Sequence, residues 1–292
     1  MTAPFRISKE KSLFDRLQAD VAGFRHLSQE LKDRTGINLP ENSKNLSLMA
    51  SRLHSRIADM GLETYEEYLE LLRDDDPELI RDFIQALTTN TTHFFRESRH
   101  FDFLQEALPG MLRLKKPGSD LRVWCAAAST GQEPYTIGMT LLEALGVQSG
   151  WDLRFLATDI DDSVLRTAIE ALYTEKELGD LNPMLRQKYF ESIGSGSGRE
   201  FRVKPALRNL IRYANLNLMN EYPFQHKFDI IFCRNVLIYF DRETVDRVIE
   251  KLADALAPGG LLFIGHSETG ALRCASLEPV STAVYRKKGS ES

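Results

Sequence analysis

The stretch "RVWCAAASTGQEPYTIGMTLLEAL", residues 122–145, decides the fold class of the second part of the chain. Its apolar start has the length of a buried strand, small residues follow, and its last part has the apolar spacing of a helix. A strand, a tight turn and a helix in this order form the ligand-binding corner of a nucleotide-binding sheet. The G-x-G-x-x-G fingerprint is absent, since alanines and Ser129 precede Gly131, the one glycine of the turn. The turn therefore favours a ligand other than a dinucleotide pyrophosphate.

Downstream of this stretch, short apolar runs alternate with helical patterns. The runs "LRFLATDI" (153–160), "FDIIFCRN" (228–235) and "GLLFIGHS" (260–267) have strand length, and amphipathic stretches follow the first two. This alternation predicts an α/β domain with a mostly parallel sheet. The segment "GSGSGREFRV" (194–203) interrupts the pattern and predicts a small β-subdomain insert at about residues 188–213, with a disordered surface loop as the alternative.

Upstream of the stretch, nearly every segment has helical periodicity. In "KNLSLMASRLHSRIADMG" (44–61), apolar residues recur every three or four positions, and Gly61 is a natural helix end. The linker "LRLKKPGSD" (112–120) combines charges, a proline and a glycine. The sequence therefore predicts a small all-helical N-terminal domain at residues 10–113 and an α/β domain at 114–288.

Composition excludes several classes of protein. The chain has 292 residues, 42% of them hydrophobic and 27% charged, which is typical of a globular protein. A net charge of −5 argues against general nucleic-acid binding, which normally requires a basic balance. No apolar run approaches the roughly 20 residues that span a bilayer, so we expect a cytoplasmic protein without membrane insertion. The three cysteines lack metal-ligand spacing, so we expect no zinc site and no disulfide.

Polar residues stand where the predicted strands end, which is where open α/β sheets bind ligands. Asp159 is suited to accept hydrogen bonds from a ribose diol, Asn217 to recognise a base edge, and Arg234 and Asn235 have no obvious core role. Glu133 opens the helix after the small-residue turn, where its charge would repel a phosphate. The alternative for Asp159 is a helix cap, and a cap is the expected role of Asp161.

A nucleoside ligand without phosphates, bound beside acidic groups, fits S-adenosylmethionine, whose sulfur carries a positive charge. NAD is the competing interpretation. A dinucleotide needs its pyrophosphate on a glycine-rich turn, and here two glycines of that fingerprint are replaced. The sequence chemistry therefore favours the methyl donor.

Five motifs in order resemble those of the bacterial chemotaxis receptor methyltransferases of the CheR type. They are "LTTNTTHFFRE" (87–97), "RVWCAAASTGQEPYTIGMTL" (122–141), "ATDID" (157–161), "FCRNVLIYFD" (232–241) and "LLFIGHSE" (261–268). The resemblance implies a Rossmann-like methyltransferase domain that uses S-adenosylmethionine and releases S-adenosylhomocysteine. It further implies methyl-esterification of glutamate side chains on the cytoplasmic coiled coils of chemoreceptors.

Carried over position by position, the resemblance also implies site residues. The implied cofactor contacts are Asn90, Thr92, Arg96, Glu133, Asp159, Asn217, Leu218, Arg234 and Asn235. It places Arg96 and Tyr239 near the reacting groups, as the candidate catalytic residues. The chain departs from the enterobacterial form at Gln132, where that form has a glutamate.

Two surfaces are expected to recognise the receptor. The resemblance suggests that the helix from residue 44 to 60 faces the acidic methylation region, with Lys44, Arg52 and Arg56 as contacts, although a solvated helix face is the alternative. The insert resembles the β-subdomain that binds a receptor's C-terminal peptide in some members. We expect a monomer. Two alternative functions are a methyltransferase with another protein or small-molecule acceptor, and a non-catalytic scaffold that binds S-adenosylmethionine.

Overall fold

The computed structural model describes residues 12–116, 118–146, 150–179 and 181–289. The chain forms two compact units that divide between Thr88 and Thr89. Among the described residues, no helix has both the length and the apolar composition needed to cross a bilayer.

The first unit is a bundle of helices around one apolar core. Its helices are α1 (Leu13–Ala19), α2 (Val21–Thr35), α3 (Ser43–Asp59), α4 (Tyr65–Arg73) and α5 (Pro77–Leu87). The amphipathic pattern predicted for α3 is confirmed, since Met49, Leu53 and Ile57 are fully buried. The helix ends before Gly61, which adopts a left-handed φ of 72°. The N-cap of α5 is Asp76, whose carboxylate accepts the Glu78 N–H.

The second unit contains a twisted sheet with helices packed on it. Its helices are α6 (Arg99–Arg113), α7 (Gln132–Leu145), α8 (Asp162–Glu170), α9 (Glu175–Leu178), α10 (Pro183–Tyr189), α11 (Pro205–Arg208) and α12 (Arg242–Ala255). Its strands are β1 (Asp120–Cys125), β2 (Asp152–Asp159), β3 (Leu172–Thr174), β4 (Phe190–Ile193), β5 (Glu200–Val203), β6 (Ile211–Asn215), β7 (Phe228–Cys233), β8 (Leu256–Ile264), β9 (Leu277–Ser281) and β10 (Val284–Lys287).

Seven of these strands form the main sheet in the order β6-β2-β1-β7-β8-β10-β9. The first five are parallel, and β10 and β9 close one edge in antiparallel pairing. Helices cover both faces of the sheet, and alternate residues of a strand point to opposite faces. Val123 and Cys125 lie in the core shared with α6 and α7, whereas Trp124 lies in the core shared with α12. The predicted α/β architecture with a mostly parallel sheet is confirmed.

The boundary between the two units lies before α6, one helix earlier than the predicted boundary at residues 113 and 114. The reason is α6, which buries Phe101, Leu104 and Leu108 in the core of the second unit. The apolar periodicity of α6 is the same as that of the helices before it, which is why the sequence grouped them. Its apolar residues, however, pack on the sheet. Residues 10 and 11 of the predicted helical domain, and Pro117 of the predicted linker, lie outside the described residues.

The insert is a three-stranded antiparallel sheet in the order β3-β5-β4. It begins with β3 at Leu172, earlier than the predicted start at residue 188, because this strand has only three residues and no readable alternation. It ends at Val203, since the following strand β6 belongs to the main sheet. Gly194 and Gly196, both with positive φ, form the turn between β4 and β5.

Candidate functional site

The small-residue turn after β1 is held by backbone conformations that the sequence did not reveal. Ser129 has a φ of 48° and Gly131 a φ of 98°, both left-handed. A Cβ on Gly131 would lie 2.7 Å from the Tyr173 hydroxyl and 2.9 Å from the Cβ of Ala168. The glycine is therefore required both for the turn and for its close packing against α8 and the small sheet.

Asp159 ends β2 beside this turn, as the parallel sheet predicts. Its side chain is buried, and its carboxylate accepts the Ser129 N–H at 2.8 Å and the Asp161 N–H at 3.1 Å. Burial raises the pKa of Asp159 to about 6 despite these two donors. The carboxylate thus ties the loops after β1 and β2 together, and it remains mostly ionised at neutral pH.

Asn90 brings the start of the N-terminal motif, residues 90–97, to the same loops. Its side-chain amide donates to Asp161 Oδ2 at 3.0 Å, and its backbone carbonyl accepts a hydrogen bond from the Ser129 hydroxyl at 2.8 Å. The other oxygen of Asp161 accepts the Ser163 N–H at 2.8 Å and caps α8, which is the expected role of this residue. Asp161 therefore has two structural functions.

Arg234 follows β7 and has a completely buried side chain. Its Nη1 donates to Glu133 Oε2 at 2.6 Å, and its Nη2 donates to Glu97 Oε2 at 3.1 Å and to the Arg96 carbonyl at 2.5 Å. Burial raises the pKa of Glu133, and the Arg234 charge opposes this effect. The sequence predicted Glu133 and Arg234 as separate ligand contacts, whereas the structure makes them partners of each other.

Glu97 connects this ion network to Asn235. Its Oε1 accepts the Asn235 amide at 3.2 Å, and its Oε2 accepts the backbone N–H of His266 at 3.2 Å. Burial acts to raise the pKa of Glu97, but the Arg234 guanidinium and the Asn235 amide outweigh it, so the pKa is lowered. Glu97 is therefore charged at neutral pH and joins the ends of β7 and β8.

The two candidate catalytic residues lie on neighbouring segments. Arg96 is half-buried, and its Nη1 donates to the Thr91 carbonyl at 3.0 Å. Tyr239 is half-buried at the end of a short 3₁₀ turn that follows Asn235. Thr92, also half-buried, lies in the segment between Asn90 and Arg96. The loop after β7 and the N-terminal motif are thus linked through the Arg234 contact to the Arg96 carbonyl.

Asn217 and Leu218 follow β6, next to β2 in the sheet. The Asn217 side chain accepts the Met219 N–H at 2.9 Å within its own turn. The Leu218 side chain is buried in the core around Trp124, and its carbonyl accepts the Lys251 ammonium at 2.6 Å. These two residues therefore follow the edge strand β6, which β2 and β1 separate from the strand β7 that precedes Arg234.

Sequence reasoning missed Glu97 and Glu268 as site residues. Both stand inside the quoted motifs, but no spacing rule pairs Glu97 with an amide 138 positions away. Glu268 is buried and accepts backbone N–H groups from the loops after β7 and β8. Strand order alone brings these groups together.

His100 adds a buried ring to the same region. Glu97, His100 and His266 offer three ligand atoms within 4.8 Å of one another. Since the Glu97 carboxylate already accepts hydrogen bonds from Arg234, Asn235 and the His266 backbone, we assign the cluster to the ion network rather than to a metal. Burial, reinforced by the Arg234 charge, lowers the pKa of His100 to about 4, so its ring is neutral at physiological pH.

The predicted docking residues lie on α3 of the first unit. Lys44 is exposed in the first turn of the helix. Arg52 donates to the Thr88 carbonyl at 2.6 Å, and Arg56 forms an ion pair with Asp82 at 2.7 Å. Two of the three cations therefore have partners inside their own unit.

The acidic side chains at the strand ends fit a cationic nucleoside better than a phosphate. The carboxylates Glu97, Glu133 and Asp159 lie in the connected loops, and Arg234 is shared by the first two. The N-terminus of α7, where a phosphate would bind, instead has Glu133 in its first turn. The chemistry of these residues therefore fits S-adenosylmethionine.

Comparison with known proteins agrees with this chemistry. Residues 22–88 match the family described as "CheR methyltransferase, all-alpha domain", and residues 90–282 match "CheR methyltransferase, SAM binding domain". A probable chemotaxis protein methyltransferase of Rhizobium etli is 41% identical over 78% of this chain and 85% of its own length. The chemotaxis protein methyltransferase of Escherichia coli is 40% identical over 87% and 86%, respectively. Chemotaxis protein methyltransferase 2 of Pseudomonas aeruginosa is 38% identical over 90% and 91%. The chain therefore belongs to the CheR family of chemotaxis methyltransferases, and S-adenosylmethionine is its methyl donor.

Proposed function

We propose that this protein methyl-esterifies glutamate side chains on the cytoplasmic region of chemoreceptors. One observation carries the choice of acceptor. The carboxylates of the site are already engaged by protein donors: Glu133 by Arg234, Asp159 by two backbone N–H groups, and Glu97 by Arg234 and Asn235. These contacts leave the three carboxylates unsuited to act as a general base. A receptor glutamate, with a reference pKa near 4.3, is ionised at neutral pH and needs no base, whereas an amine acceptor must first lose a proton.

Within this proposal, the chain's own residues bind and align. S-adenosylmethionine supplies an activated methyl group on a positively charged sulfur. The residues that would hold it are Asn90, Thr92, Arg96, Glu133, Asp159, Asn217, Leu218, Arg234 and Asn235. Arg96 and Tyr239 would orient the acceptor carboxylate, because a guanidinium and a phenol can both donate to it. Alignment of this kind can supply up to about 7–11 kcal/mol of the barrier reduction.

The ester linkage is tested by incubating the protein with a radiolabelled methyl donor and a receptor cytoplasmic fragment. A glutamate methyl ester releases volatile methanol in mild base, so we expect the label on the receptor to be base-labile. The Arg96→Ala variant is the control for enzyme-dependent labelling and should transfer far less label. A base-stable label would point to N-methylation and contradict the proposal, and the absence of enzyme-dependent label would favour the scaffold alternative.

Receptor docking through α3 now depends mainly on Lys44, the cation without an assigned structural role. We expect Lys44→Glu to slow receptor methylation at low salt and to weaken its salt dependence, because exposed charges are screened within a Debye length of about 8 Å at physiological salt. Methylation rates measured across a salt series check this. Lys116→Glu, the same change at another exposed lysine, is the matched control and should leave the rates unchanged.

Arg56→Glu is the less informative variant, since it would place a second carboxylate beside Asp82 and thereby destabilise the unit. Wild-type rates for Lys44→Glu in low salt would make α3 a solvated face.

The insert offers a separate surface, since β3 and β4 are edge strands that can accept an added peptide strand. If it binds a receptor C-terminal peptide, deleting residues 194–198 should weaken peptide binding in calorimetry, whereas Lys44→Glu should not.

A further inference from the structure

Glu268 lies just after β8, in the 3₁₀ turn His266–Ala271, and only 3% of it is exposed. Its carboxylate accepts three backbone N–H groups. The donors are Gly265 at 2.5 Å, Asn235 at 3.1 Å and Ile238 at 3.2 Å. One donor thus belongs to the loop after β8, and two belong to the loop after β7. A single buried carboxylate therefore joins the ends of two neighbouring strands.

The loop after β7 needs such a contact because its backbone conformation is unusual. Asn235 has a φ of 58°, a left-handed conformation that asparagine tolerates better than most residues but that still costs free energy relative to the right-handed one. The next residue, Val236, precedes the short 3₁₀ turn Leu237–Tyr239. Glu268 accepts an N–H at the start of this loop and another within the turn. It thereby holds the backbone on both sides of Val236.

Gly265 leaves the space in which this contact forms. Its backbone angles, φ −67° and ψ 150°, are ordinary for any residue. A Cβ at this position, however, would lie 2.7 Å from Glu268 Oε2 and 2.7 Å from Asn235 Nδ2. The glycine is therefore required by the proximity of the Glu268 carboxylate to Asn235 and not by its own conformation.

We propose that Glu268 is a positioning residue for methyl transfer, whose carboxylate fixes the loop that carries Asn235 and Tyr239 without touching either substrate. The proposal deepens the proposed function, on which it depends for the role of Tyr239. Glu97 holds the Asn235 side chain, whereas Glu268 holds its backbone. An acceptor-only group suits this place, because a glutamine would turn an NH₂ group towards at least one of the three N–H donors.

The test combines turnover with amide hydrogen exchange in the full-length protein. In Glu268→Gln we expect the exchange of the Asn235 and Ile238 amides to accelerate, while amides inside β7 stay protected. Turnover at saturating methyl donor and receptor should fall about tenfold to a hundredfold, the scale of an unpaired buried donor. Glu278→Gln, the same substitution at an exposed position on β9, is the control and should change neither quantity.

A second variant keeps the proposal testable if Glu268→Gln does not fold. Gly265→Ala retains the carboxylate but pushes it away from Asn235, so it should lower turnover and accelerate exchange of the same amides. Gly270→Ala is its control, since a Cβ there meets nothing within 4 Å. Wild-type turnover in a variant with accelerated exchange would overturn the proposal, and so would unchanged exchange. The exchange result does not depend on the acceptor, so it separates this proposal from a failure of the ester assignment.

Discussion

Replacing Arg234 with methionine is expected to lower the free energy of unfolding by about 3–5 kcal/mol and to abolish methyl transfer. The guanidinium is completely buried and compensates Glu133 and Glu97, whose side chains are only 10% and 17% exposed. Methionine has similar length but no charge, so both carboxylates would remain in a poorly solvated site beside each other. The loss of the contact to the Arg96 carbonyl would also release the N-terminal motif.

Urea unfolding followed by tryptophan fluorescence measures this effect, because both tryptophans, Trp124 and Trp151, lie in the second unit. Arg154→Met is the matched control. Arg154 pairs with Asp152 at the surface, with 64% of its side chain exposed, so its loss should cost less than about 1 kcal/mol. Adding Glu133→Gln to Arg234→Met should recover part of the stability by removing one uncompensated charge. Equal stability of the Arg234 and Arg154 variants would contradict a central role for this ion network.

Asp159→Ala is expected to weaken binding of S-adenosylmethionine and S-adenosylhomocysteine by roughly 1.5–3 kcal/mol, about 10- to 150-fold in the dissociation constant. The proposed ribose hydrogen bonds would be lost, and the Ser129 N–H would lose its acceptor. Titration calorimetry measures both ligands. Asp152→Asn, at the exposed start of the same strand, should bind them like the wild type. Unchanged affinity in Asp159→Ala would remove this residue from the cofactor site.

The pH dependence gives Asp159 a second signature. Its pKa in the folded protein is about 6, above the reference value near 3.9, because the carboxylate is buried. Cofactor binding that uses the ionised form should weaken as pH falls through 6, by up to about tenfold per unit, and Asp159→Asn should lack this component. The contribution of Asp159 to the free energy of unfolding changes with pH in the opposite direction to cofactor binding. The folded protein holds this proton between about pH 4 and 6, so the contribution of Asp159 to stability is full below pH 4 and is lost as pH rises through 6.

Local sequence patterns predicted the elements of this fold and the edge of the sheet where the site lies. Helical spacing identified α3, and alternating strand and helix patterns identified the parallel sheet, because both signals repeat within a few residues. The position of Asp159 followed from the rule that parallel strands end at one edge. The boundary between the units did not follow, because α6 has the same periodicity as the helices before it and only its apolar contacts assign it to the sheet.

By itself, the sequence determined the two kinds of secondary structure, the strand-end polar residues and the resemblance to one family of methyltransferases. Only the tertiary structure decided which charged groups are partners. Arg234 meets Glu133 across 101 positions, and Asn235 meets Glu268 across 33, because β7 lies between β1 and β8 in the sheet. It also gave Arg56 a partner in Asp82 on α5. Periodicity is a local property of the chain, whereas the partner of a buried charge depends on the order in which distant strands and helices pack.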